Sequence, residues 1–304
     1  MGFLDLSGAL ARRFGSVGLA IDGIGVNLTA RPAATVSVQG PQSERARYCL
    51  ERFAQGMQWS GGVDLQIEAA IPPHSGLGSG TQLALAVGVA MDRLRGGNID
   101  VRQIATMHER GQRSGIGVGV FQQGGFVIDG GRGTQAVPPP VIARLDFPAA
   151  WRILLIFDHA AAGLHGERET EVFRAMAGWP QSVSAQLCHQ LLMSTAPALV
   201  EGDLEAFGQG ITTLQRTIGD HFASVQGGRY TSSMVQSVLE WLEDQRVRGV
   251  GQTSWGPTGF AFLGDDTQGQ RLLAEAQARW RKYESLEFRL LRGRNQGAEV
   301  LVES

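Results

Sequence analysis

Apolar and polar positions alternate most clearly in the stretch that begins at Val63. Val63, Leu65, Ile67 and Ala69 are separated by Asp64, Gln66 and Glu68, and the spacing predicts a half-buried strand over 63–71. Shorter patterns predict strands at 2–6, 35–39, 126–129, 152–158 and 260–263. Helical spacing runs through 42–56, where Tyr48, Leu50 and Phe53 are the apolar members. A buried helix is expected over 83–94, stopped by Gly96-Gly97. Asp100 can cap a further helix to about Arg110, with Gln103 in a capping-box position. Most of the hundred residues after 158 read as helical, and a helix with one or two strands finishes the chain. Gly15 to Gly25 reads as a loop around Asp22, and Pro138-Pro139-Pro140 as the start of a domain boundary. Strands are isolated among helices with no regular βαβ alternation, which favours α+β layering.

At ~100–200 residues per domain, the 304-residue chain suggests two domains, placed at 1–148 and 149–304. A formal net charge of -2 argues against bulk nucleic-acid binding and against a polybasic membrane patch. No apolar run approaches the ~20 residues a membrane helix needs, and no basic-then-apolar leader opens the chain, so a cytoplasmic protein is expected. Cys49 and Cys188 are expected to be two buried thiols, with a disulfide as the alternative.

Glycine changes the picture. The 42 glycines are about twice the usual ~7% share. They cluster where the backbone must turn sharply or approach a ligand. The main cluster is Pro72-Pro73-His74-Ser75-Gly76-Leu77-Gly78-Ser79-Gly80-Thr81-Gln82, between a strand and a helical run. Side-chain-free positions let successive N–H groups converge on one anion, and the following helix adds its unpaired N–H groups and positive dipole end. Ser75, Ser79 and Thr81 add hydroxyl donors, so the loop reads as a phosphate or pyrophosphate cradle, with Gly76, Gly78, Gly80 and Gln82 as further contacts. A tight strand-to-helix turn without a ligand is the plainer alternative. The loop lacks the Gly-Lys-Ser/Thr ending of a Walker A loop and the acidic ribose residue of a Rossmann fingerprint.

The loop resembles the second motif of the galactokinase, homoserine kinase, mevalonate kinase and phosphomevalonate kinase superfamily, Pro-x-x-x-Gly-Leu-Gly-Ser-Ser, met here as Pro72-x-x-x-Gly76-Leu77-Gly78-Ser79-Gly80. The resemblance implies that superfamily's two-domain α+β fold, with a ribosomal protein S5 domain 2-like N-terminal domain and a ferredoxin-like C-terminal domain. Many of these kinases carry an aspartate in a downstream Ser-Gly-x-Asp; here Ser114-Gly115-Ile116-Gly117 has glycine in its place. The third glycine stretch, Gly251-Gln252-Thr253-Ser254-Trp255-Gly256-Pro257-Thr258-Gly259, contains a tryptophan. Lys282, the chain's single lysine, lies too far along to serve as a catalytic lysine.

These departures resemble one branch, the β-ribofuranosylaminobenzene 5′-phosphate synthases of methanopterin biosynthesis. Its traits recur in Gly2-Phe3-Leu4-Asp5-Leu6, Arg113 to Val118, Gly124-Gly125-Phe126, Gly163-Leu164-His165-Gly166, Gln226-Gly227-Gly228 and Gln252 to Thr258. The branch's Arg-Leu-His strand, which normally comes before Gly2, is not met ahead of Met1. The resemblance implies condensation of phosphoribosyl pyrophosphate with 4-aminobenzoate or 4-hydroxybenzoate, with loss of carbon dioxide and pyrophosphate. It also implies Mg²⁺, no organic cofactor, and a homodimer. Ser75, Ser79, Arg113 and Trp255 are then the catalytic candidates, with Trp255 stacking on the arene or simply packing in the core. Thr81, Ser114, Gly115, Gln252, Thr253, Ser254 and Thr258 are candidate substrate contacts. Asp22 is a candidate for ribose or metal, and Glu169 a second weak metal candidate. His159, His165 and Glu167 are weaker still. An ATP-dependent small-molecule kinase and a non-catalytic binding protein on the same fold are the competing readings.

Overall fold

A computed structural model of the chain describes every residue except 136, 162, 164–170, 173–175, 177, 255 and 303–304. Trp255, His165, Glu167 and Glu169 therefore lie outside the described residues.

Three sheets organise the described chain. The first is fully antiparallel, in the order β1 (Gly2–Asp5), β2 (Phe14–Leu19), β6 (Phe126–Asp129), β7 (Val141–Leu145). The second has the order β3 (Asn27–Ala33), β5 (Gly62–Ala69), β4 (Ser37–Gln39). Its β4–β5 pair is parallel, and α1 (Ser43–Met57) makes the crossover that a parallel pair requires. In β5, Val63, Leu65 and Ile67 face inward against α2 (Ser79–Leu94) and α3 (Val101–Met107), as the alternation predicts. Asp100 caps α3 by accepting from the Arg102 N–H at 2.9 Å.

The third sheet, β11 (Leu286–Leu291), β8 (Arg152–Asp158), β10 (Gly259–Leu263), β9 (Val250–Gln252), is antiparallel throughout. Every residue of β8 is buried, because both faces of this sheet are covered. Leu154 and Ile156 pack with Val238, Leu239 and Leu242 of α8 (Ser233–Asp244) and with Leu272 of α9 (Asp266–Arg279). Ile153, Leu155 and Phe157 turn the other way, into a cluster shared with Phe3, Val17 and Phe126 of the first sheet. The long helix α7 (Leu204–Gln226) contributes Phe207, whose ring centroid lies 5.7 Å from that of Phe126 and 5.2 Å from that of Phe262. Position 148, the expected domain division, falls within this shared cluster, between Phe147 and Trp151.

Several expectations are corrected. Phe14 to Leu19 is strand β2, not part of a loop, because Val17 reaches the shared core and the backbone pairs on both sides. Strand β3 was unmarked in the sequence: it is an edge strand with a mostly exposed face and Pro32 within it. The three prolines do not end the first half, since β7 follows them and pairs with β6. Helix α2 begins four residues early, inside the glycine loop, and Ile116–Gln123 closes into a short helix, α4. Helices α5 (Gln181–Gln190) and α6 (Ala196–Glu201) are joined by one wide π turn at Leu191–Thr195. Both cysteines are free, Cys49 buried as expected but Cys188 exposed. No described helix is long and apolar enough to cross a membrane.

Candidate active site

The glycine loop stands where the two halves meet. Ser75 is buried, and its Oγ donates to the Pro72 carbonyl at 2.8 Å. Thr253 Oγ1 reaches across from the third glycine stretch and donates to the Ser75 carbonyl at 2.8 Å. Side chains on Gly76 or Gly256 would collide with this staple, at Thr253 Oγ1 and at the Ser75 backbone respectively. Gly76 and Gly78 adopt left-handed φ values of 71° and 75°, and Gly78 is the N-cap of α2 with open space before it. The Thr81 and Gln82 N–H groups bond back to the Gly78 carbonyl, whereas those of Ser79 and Gly80 have no acceptor among the described residues. The anion-attracting end of a helix is thus formed and left open.

On one side of this turn lies a cleft of about 1130 Å³. Its floor includes Gly76, Leu77, Gly78, Gln82, Gly117 and Thr253. Its walls are largely apolar, with Leu19, Ile24, Val89, Phe121, Leu155 and Phe260. The tail after β11 lines it as well. That tail runs along the first half through bonds from Arg294 N to the Ala20 carbonyl, 2.9 Å, and from Ala298 N to the Phe121 carbonyl, 2.7 Å.

The sequence candidates separate into groups. Gly76, Gly78, Gln82, Asp22 and Thr253 line the cleft. Asp22 is ion-paired to Arg294 at 3.2 Å, and Arg294 also holds Glu299 at 2.9 Å. Ser79 opens α2, Gly80 faces its outer side, and Thr81 packs against Gly117. Gln82 Nε2 donates to the Gly117 carbonyl at 2.7 Å, so the first two glycine regions are directly joined. Gly117, where the kinases carry their acid, has little room: a methyl group there would lie 2.9 Å from Thr81 Cγ2.

Ser114 and Gly115 turn away from the cleft toward Asp129. This carboxylate is 1 % exposed and accepts from Ser16 Oγ, from Gly115 N at 2.9 Å, from Gly131 N at 2.8 Å and from Ser114 Oγ at 3.3 Å. Burial pushes its pKa above the usual carboxylate value despite those donors. Arg113 is half-buried and does not line the cleft. Gln252 is engaged on every side, with Thr231 N at 2.9 Å, Gln226 Oε1 at 3.1 Å and Gln215 Oε1 at 2.9 Å. Ser254 is exposed and donates to the Met1 carbonyl at 3.4 Å. The Thr258 hydroxyl is buried without a partner among the described residues. His159 pairs with Glu287 at 2.8 Å, and Gln226 closes the turn after α7.

Sequence reasoning missed Asp129, the cleft-lining tail and the aromatic wall, none of which carries a local motif. The described residues contain no group of three or more His, Cys, Asp or Glu placed to hold a metal ion. The cleft's carboxylates, Asp22 and Glu299, are both tied to Arg294, which fits poorly with a resident ion.

Comparison with known proteins agrees with this geometry. The N-terminal domain of the GHMP kinases matches residues 44–125, and their C-terminal domain matches residues 195–282. A homoserine kinase from Cytophaga hutchinsonii superposes with a TM-score of 0.61 at 15% identity, covering 92% of this chain and 90% of its own. An L. major mevalonate kinase does so with 0.64 at 15% identity, covering 96% and 93%. At such identities the likeness is one of fold. The curated relatives are more specific. A β-ribofuranosylphenol 5′-phosphate synthase from Archaeoglobus fulgidus is 33% identical over 98% of this chain and 96% of its own length. One from Methanocaldococcus jannaschii is 31% identical over 86% of each. With a kinase-type loop that opens on an apolar cleft, and a glycine where the kinases carry their acid, the chain belongs to the β-ribofuranosylphenol 5′-phosphate synthase family, built on the GHMP kinase fold.

Proposed function

We propose that the protein is a decarboxylating phosphoribosyl transferase that joins phosphoribosyl pyrophosphate to a para-substituted benzoate. The product is a β-ribofuranosyl arene 5′-phosphate for methanopterin biosynthesis. The relatives are named for a phenol product, which is what 4-hydroxybenzoate leaves after losing its carboxyl group. That puts 4-hydroxybenzoate ahead of 4-aminobenzoate.

The observation that carries the reading is an open helix N-terminus beside an apolar cleft whose carboxylates among the described residues, Asp22 and Glu299, are both ion-paired with Arg294. The C1–O bond of the ribose breaks and its electron pair leaves with pyrophosphate. The Ser79 and Gly80 N–H groups and the α2 dipole stabilise that growing charge. The ring carbon bearing the carboxylate attacks C1, with electron push from the para oxygen or nitrogen. The ring–carboxyl bond then breaks, carbon dioxide departs, and the bond's electron pair restores aromaticity. No proton is taken from carbon, so the glycine at 117 suits this chemistry, as does the pairing of the described cleft carboxylates with Arg294. The apolar walls hold the ring and keep water from the ribosyl cation. Mg²⁺ would arrive with the pyrophosphate as its counterion, and no step here depends on it.

The test supplies phosphoribosyl pyrophosphate, Mg²⁺ and carboxyl-labelled 4-hydroxybenzoate or 4-aminobenzoate, and traps labelled carbon dioxide. Release with either arene is expected, faster with the phenol. No release with either, together with ATP turnover on homoserine or mevalonate, overturns the reading in favour of a kinase.

A further inference from the structure

The first turn of α2 has a second side. A second cavity of about 190 Å³ adjoins this turn, lined by Glu44, Arg45, Tyr48 and Cys49 of α1, Gly80 and Leu83 of α2, and Arg110. Two guanidinium groups converge there. A methyl group on Gly80 would lie 2.8 Å from Arg45 Nη2 and 3.3 Å from Arg110 Nη1.

Neither cation has a carboxylate partner among the described residues. Arg45 donates to Gln42 Oε1 at 2.8 Å, and Arg110 Nε is buried with no acceptor among the described residues. Neighbouring Arg52 differs, being neutralised by Glu109 at 2.8 Å. The uncompensated charge is felt nearby. After burial itself, Arg110 is the next cause holding His108 down at about 4, and Arg110 and Arg45 act on the buried Cys49 thiol. Two like charges brought together around a cavity, at the positive end of a helix and with no ion-paired carboxylate among the described residues, are unfavourable unless an anion completes the set.

We propose that Arg45 and Arg110 form a phosphoryl-binding site beside Gly80, flanking the first turn of α2. The site takes one phosphorylated end of the sugar substrate while the reacting carbon lies in the cleft. This rests on the phosphoribosyl transferase reading. Both the pyrophosphate and the 5′-phosphate have the chemistry to fill it. Two forked guanidinium groups match a phosphoryl group's oxygens better than lysines would, and Arg45 and Arg110 are the residues that set this affinity. Glu44, at the same cavity, opposes an anion.

Calorimetric titrations with inorganic pyrophosphate and with ribose 5-phosphate test the site apart from catalysis. The proteins are the full chain and its Arg45→Gln, Arg110→Gln, Glu44→Gln and Arg52→Gln variants. Arg45→Gln and Arg110→Gln should each weaken one of the two ligands about tenfold or more. Weakened pyrophosphate assigns the leaving group to the site, and weakened ribose 5-phosphate assigns the 5′-phosphate. Glu44→Gln should tighten the same ligand, and Arg52→Gln, with an equal change in net charge, should leave both unchanged. Thermal unfolding verifies that each variant is folded, and Arg45→Gln alone decides if Arg110→Gln is not. Unchanged affinity of both ligands for the folded arginine variants overturns the proposal. So does a wild-type chain that releases carbon dioxide but whose KM for phosphoribosyl pyrophosphate ignores both substitutions. If wild type binds pyrophosphate through these arginines yet releases no carbon dioxide, the site stands and the transferase reading fails.

Discussion

The first glycine region, 72–82, and the second, 114–119, look alike in sequence: small hydroxyl residues among glycines, each leading into a helix. They have opposite fates. The first leaves the Ser79 and Gly80 N–H groups without an acceptor at the mouth of α2. The second is closed by the protein itself, because Asp129 accepts from Ser114 and from the Gly115 N–H at the start of α4. A glycine-hydroxyl pattern therefore marks a place where N–H and O–H donors converge. Whether those donors stay open or are closed by a buried carboxylate depends on a residue outside the pattern: here it is Asp129 on β6.

The sharpest way to break this contrast is to put a side chain where the two regions touch. Gly117→Asp restores the acid of the kinase pattern, but its Cβ would lie 2.9 Å from Thr81 Cγ2, next to the bond from Gln82 to the Gly117 carbonyl. The first turn of α2 must shift, and a displacement on the order of 1 Å costs about 100-fold in rate. Carbon dioxide release should fall by that factor with no gain of ATP turnover. A variant that phosphorylates homoserine or mevalonate would return the protein to the kinases.

The next effect falls on stability. Asp129→Ala leaves several buried donors unpaired, at ~1–3 kcal/mol each. A loss of about 3 kcal/mol or more is expected, seen as a lowered midpoint in thermal unfolding. Below that midpoint, the affinity for pyrophosphate should stay within about threefold, because the second region does not face the ligand. A large loss of affinity with intact stability would erase the distinction between the two regions.

Asp129 also gives the contrast a pH signature. Its folded pKa is raised by burial, so between the ordinary carboxylate value and the raised one the native state holds more protons than the unfolded chain. Its contribution is then fully present below the ordinary value and is lost as pH rises through the folded value. Unfolding free energies measured from pH ~4 upward should show this decline in wild type but not in Asp129→Asn, whatever that variant's absolute stability. A parallel pair of curves would mean that Asp129 does not titrate differently on folding.

Much of the fold was legible because β5 and α1 carry periodicities, and β8 a continuous apolar run, that burial itself requires. Strand β3 was not, since an edge strand with an exposed face has no apolar alternation to read. The first glycine region was legible as a turn that opens a helix with bare N–H groups because its signal is local. The roles of Ser114, Gly115 and Gln252 were not, because Asp129, Gln215 and Gln226, which engage them, come from other elements. The same reason hid Arg45 and Arg110: only the packing of α1 and of the turn after α3 against α2 brings them to Gly80.

The smallest predicted effect concerns the staple that holds the open region in place. Thr253→Val keeps the side chain's shape and removes the hydroxyl that donates to the Ser75 carbonyl. The lost bond is worth ~1 kcal/mol, somewhat more because the carbonyl stays buried. If the staple fixes the geometry of Gly76 to Gly78, that amount should appear as a several-fold rise in KM for phosphoribosyl pyrophosphate. The unfolding midpoint should change little, because the bond joins two loops and not two core strands. Asp129→Ala should do the reverse, lowering the midpoint and sparing the KM. If Thr253→Val instead lowers the midpoint and leaves KM alone, the first region is as self-sufficient as the second, and its open N–H groups need no support from the other half of the molecule.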